Sequence, residues 1–90
     1  MAIFAIMAPP DNGAIAKAIA KEFPQDNYQV GPGQWLVAIE GRTAQQISEK
    51  LGIPGGGVGR AVVVSVGNYH GWHATDLWEW LKVKMGAHGG

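Results

Sequence analysis

Cysteine is absent from this 90-residue chain. No disulfide framework can staple it, and thiolate-bound zinc or iron–sulfur sites are excluded. Charge is scarce as well. Only 16% of residues are Asp, Glu, Lys or Arg, and seven basic residues balance seven acidic ones. A net charge of zero gives no long-range pull on a polyanion such as nucleic acid. No apolar run reaches the roughly 20 residues of a membrane span. The opening stretch, Met1 to Ala8, is apolar but has no basic flank, and its length suits a buried strand better than a signal peptide. Cytoplasmic residence and no membrane partner are the resulting expectations. With 47% hydrophobic residues, disorder is disfavoured. What remains is one small domain, short enough that an oligomer would help its core.

The order of elements is legible. Ala2 to Ala8 is a continuous apolar run closed by Pro9-Pro10, which reads as a strand covered on both faces. Asp11 or Asn12 can cap a helix in which Ile15, Ala18, Ile19 and Phe23 share a face and which Pro24 ends. Tyr28 to Val30 is a short strand, Gly31-Pro32-Gly33 a turn, and Gln34 to Glu40 a second nearly all-apolar strand. Thr43 and Gln46 fit a capping box for a helix with Ala44, Ile47 and Leu51 inward and Gly52 as its stop. Ala61 to Val66 is a β-branched strand. Thr75 or Asp76 can cap a last helix, with Leu77, Trp78, Leu81 and Met85 on one face. Residues 81–85 also alternate with period two, so a helical turn and a short edge strand both fit. Gly86 to Gly90 is expected to be a flexible tail.

Strand, helix, strand, strand, helix, strand is the βαββαβ order of an α+β, ferredoxin-like sandwich, here over residues 1–85 with one extra C-terminal helix or short strand. That layout puts the first and third strands in the centre and both helices on one face. Ile3, Ala5 and Met7 would then point one way, and Phe4 and Ile6 the other, so neither face of the first strand is polar. The face opposite the two helices needs a cover, supplied by the C-terminal helix or by a second copy of the chain. Trp80 and Val83 fall off the main apolar face of that helix, which suits a helix with two partners.

Candidate chemistry is sparse. The glycine loop 55–59 follows a helix and precedes a strand, the reverse of a phosphate cradle, and reads as a connector. Arg60 beside it suits a strand-edge gatekeeper. His70 and His73, with Asp76 three residues on, have metal-ligand spacing, but a transition-metal site needs three or four ligands in a fixed shell. Exposed loop histidines are the favoured reading. Trp72, Trp78 and Trp80 fall within nine residues, with Tyr69 just before them. Asp76 and Glu79 interrupt any basic groove for base stacking, so these aromatics read as core or interface anchors. Ser48 and Ser65 lie inside regular elements, and no serine–histidine–acid arrangement is visible. Asp11 alone among the acids follows the end of a central strand, where a helix cap is the commoner role.

Trp35-Leu36-Val37, Leu51, Val62-Val63-Val64, Asn68-Tyr69, Gly71-Trp72 and Trp78-Glu79-Trp80-Leu81 together resemble the small bacterial proteins labelled SinR-like. Their fold is similar to that of the CRISPR-associated adaptation endonuclease, a ferredoxin-like dimer. The resemblance implies that fold and a homodimer. In the endonucleases an acid closes the first strand and serves magnesium-dependent cleavage, whereas this chain has Met7-Ala8 there. Neither residue offers the hard oxygen that magnesium needs. The expectation is therefore a non-enzymatic homodimeric binding or assembly module with no cofactor, its partner a second copy or another protein. The alternative is a divergent nuclease using Asp11 and magnesium. Functional nucleic-acid binding is not expected, because Glu22 and Glu49 dilute the lysines on the same helices.

Overall fold

The computed structural model describes residues 2–68, 70 and 75–85. Seven elements follow one another: β1 (Ala2–Met7), α1 (Gly13–Glu22), β2 (Asn27–Gly31), β3 (Gln34–Ile39), α2 (Ala44–Leu51), β4 (Val62–Val66) and α3 (Thr75–Met85). The strands form one antiparallel sheet in the order β2-β3-β1-β4. The two strands with no polar face are thus the central ones, where both faces must be dry. This is a small α+β domain.

Pleating sorts each strand between two layers. Phe4 and Ile6 of β1 stand opposite Val37 and Trp35 of β3. With Ile15 and Ile19 of α1 and Ile47 and Leu51 of α2 they form the main core. The alternate residues Ile3 and Ala38 turn to the other face and meet Leu77 and Leu81 of α3. Burial of about 25 cal/mol per Å² on both faces holds the three layers together.

Local chemistry fixes the helix ends. Asn12, rather than Asp11, caps α1: its Oδ1 accepts the Ile15 N–H at 3.1 Å while its Nδ2 donates to the Val58 carbonyl at 2.8 Å. The capping box of α2 is present in full, between Thr43 and Gln46. Gly52 ends α2 in the left-handed region, at φ 79°. The segment 81–85 is helix and not an edge strand. Its two buried leucines set a helical spacing, and Lys84 ties back to Asp26 on the approach to β2. The expected tail, 86–90, lies outside the described residues.

Candidate functional site

One helix about 10 Å across cannot cover four strands spaced about 4.8 Å apart. α3 is drawn towards β2. The Trp80 ring lies 5.9 Å from that of Tyr28, the Tyr28 hydroxyl donates to Asp76 Oδ2 at 2.9 Å, and Lys84 pairs with Asp26 at 2.5 Å. Trp80 therefore faces the sheet, although its position on the helix wheel is off the leucine face. The half-buried Tyr28 ring widens the apolar strip enough to meet it. Val83 stays outside, 73% exposed.

The opposite corner of this face is left open. Met7, Val62 and Val64 are 45%, 49% and 38% exposed. Met7 stands opposite Val62 and Ala5 opposite Val64, so the patch spans the β1–β4 pair and reaches the free edge of the sheet. An open groove of about 400 Å³ continues it, lined by Met7, Ala8, Pro9, Arg60, Ala61 and Val62. Arg60 is exposed at the rim, before β4 begins. The composition of β1 and β4 already held the signal for this patch. Missing was how far the last helix would reach.

Among the described residues, the other candidates form no grouped metal site. Asp11 is exposed, and its carbonyl accepts the Gly13 N–H at 3.0 Å. His70 is exposed, and Asp76 is engaged by Tyr28. His73, Tyr69 and Trp72 lie outside the described residues. Among the described residues, no three His, Asp or Glu side chains are grouped so as to hold a metal, and no helix is long and apolar enough to cross a membrane. Trp78 is half-buried and packs on the cluster around Ile3. On the helix face of the sheet, Lys50 pairs with Glu22 at 3.3 Å, which leaves the exposed Lys17 and Lys21 with little basic company.

The Tyr28–Asp76 contact spans 48 positions and has no sequence signature. Desolvation of the ring first, then the hydrogen bond and the charge of Asp76, hold the phenol above its ordinary value near 10. A raised folded value means that this contribution to stability is fully present below the unfolded pKa and is lost as pH rises through the folded one. Alkaline titration should therefore loosen α3. Of the chain's two tyrosines, one should ionise late by tyrosinate absorbance, and Tyr28→Phe should remove that step. Asp76→Asn should bring its midpoint down. A midpoint that ignores Asp76 would contradict the contact.

No family model matches the chain, and no curated protein or solved structure matches it either.

Proposed function

We propose that this chain is a ferredoxin-like, non-enzymatic module that works as a homodimer and serves binding or assembly, in keeping with its SinR-like resemblance. The strand order supports the fold reading. β1 and β2 run the same way with β3 between them, and β3 and β4 run the same way with β1 between them. Each crossover carries a helix, and α1 and α2 share a core on one face, as in a split βαβ sandwich. The observation that carries the homodimer is the open apolar corner at Met7, Val62 and Val64. Contiguous apolar surface of this kind marks an interaction site in a folded chain, and a two-fold axis lets one patch meet its own copy.

Sedimentation equilibrium tests the reading. At tens of micromolar the chain should approach twice its 9.5 kDa mass and dissociate on dilution. A monomer at every concentration, with no binding of an apolar dye, would sink it. A magnesium-dependent nuclease activity lost in Asp11→Ala would instead place the chain with the endonucleases.

A further inference from the structure

We propose that two copies join along their β4 edges, antiparallel about a two-fold axis, to make one continuous eight-stranded sheet. This rests on the homodimer reading above and deepens it by naming the surface. The two edges of the sheet are built differently. At β2 the ladder shifts register between Gln29 and Gly31, and Gln29 Nε2 folds back onto the Gly31 carbonyl at 3.3 Å. α3 is also tied over that edge through Tyr28 and Asp26. Bulges and covers of this kind block strand addition. β4 has neither. It is four valines and a serine, its ladder to β1 runs in register from Val62 to Val66, and no charge occurs from Ala61 to Gly67. An edge strand presents a row of outward N–H and C=O groups, and another strand satisfies them.

Charge and geometry select a second copy as that strand. An uncharged edge meets its own like without local repulsion, and a formal net charge of zero removes the long-range repulsion between copies. A two-fold through Val64 pairs all five residues of β4. It sets Val64 opposite the partner's Val64 and Val62 opposite the partner's Val66. Because side chains alternate with period two, Val62, Val64 and Val66 stay on one face. One row then reads Met7, Val62, the partner's Val66 and the partner's Ile3. The three exposed side chains fall well short of the ~800 Å² per partner of a standard interface, so the backbone ladder carries much of the affinity and the dimer should dissociate readily.

The absence of cysteine makes cross-linking a clean test. Val64→Cys, Met7→Cys and Val83→Cys each place one thiol at an exposed site. In the edge pairing, facing Cα atoms at position 64 are about 4.5–5.5 Å apart, within disulfide reach. The two copies of Met7 are three strand spacings apart across the sheet and four residues apart along it, about 20 Å. Mild oxidation should cross-link Val64→Cys at least tenfold faster than the other two. Suppose the wild type sediments as a dimer but Met7→Cys or Val83→Cys cross-links fastest. The edge pairing then falls while the homodimer reading stands. If the wild type is monomeric and Val64→Cys is no faster than Val83→Cys, both fall. Val64→Lys puts like charges face to face at the axis. It should keep the circular dichroism of the wild type and lose the dimer, and a folded Val64→Lys chain that dimerises as before would also overturn the edge pairing.

Discussion

Val37→Asp should abolish cooperative folding. Val37 is fully buried in β3, opposite Phe4 on β1 and Asn27 on β2, inside the core between the sheet and α1 and α2. The substitution removes a buried valine, about 1.5–3 kcal/mol of burial. It also places a carboxylate where nothing can solvate or pair it, which costs several kcal/mol more whether the group stays charged or takes up a proton. A 90-residue domain has about 5–13 kcal/mol of stability in all. The expected result is loss of the far-ultraviolet signal at neutral pH and no sigmoidal urea transition. Ile3→Asp makes the comparison informative. Ile3 is equally buried, at 1% exposed, but on the side closed by α3 alone. Undocking one helix can let water reach that carboxylate. Ile3→Asp should therefore keep a cooperative transition of reduced midpoint while tryptophan emission shifts to the red. Two mild effects would contradict the two-faced strands, and two equal collapses would contradict a separable α3.

These faces were visible in the sequence because β1 and β3 are apolar at both parities, which a strand wet on one side would not be. The capping box at Thr43 was visible because both of its members are local. The choice between Asp11 and Asn12 was not, since either can accept from a helix N–H. It turns on Val58, 46 residues away, whose carbonyl needs a donor. An amide can donate there while it caps the helix, and a carboxylate cannot. The fate of 81–85 was ambiguous for a related reason. Two periodicities coexist in five residues, and the pairing of Lys84 with Asp26 is a contact across the chain. The open corner was the hardest to foresee. Every residue in it was assigned correctly to its strand, but its exposure depends on where a helix of 11 residues comes to rest, and that is decided by Tyr28 and Asp76. Tyr69 and Trp72, assigned to interface roles, lie outside the described residues, and the exposed patch on β1 and β4 was not among those assignments.

Gly33→Ala should cost about 3 kcal/mol or more, far beyond an ordinary turn substitution. Gly33 closes the turn from β2 to β3 at φ 74°, a left-handed conformation that costs a residue with a Cβ about 1 kcal/mol. The rest comes from crowding. A Cβ at this position would lie 2.2 Å from the Ala8 carbonyl oxygen and 3.0 Å from the Pro9 carbonyl. Both are backbone atoms, and Pro9-Pro10 is among the stiffest segments a chain can offer. The close approach is also bonded, because the Ala8 N–H donates to the Gly33 carbonyl at 2.8 Å. Relief must come from moving the whole turn off the end of β1, which loses that hydrogen bond and disturbs the groove beside Met7 and Pro9. Overpacking of this kind typically costs about 1–3 kcal/mol beyond the strain. At about 4–8 °C per kcal/mol for a domain of this size, the melting temperature should fall by about 12–24 °C. Gly41→Ala supplies the control. Its φ is 69°, nearly the same, but nothing lies within 4 Å of the added Cβ. It should show the conformational cost alone, about 1 kcal/mol. The difference between the two variants measures the packing of the turn on Ala8 and Pro9, and equal losses would mean that this packing is absent.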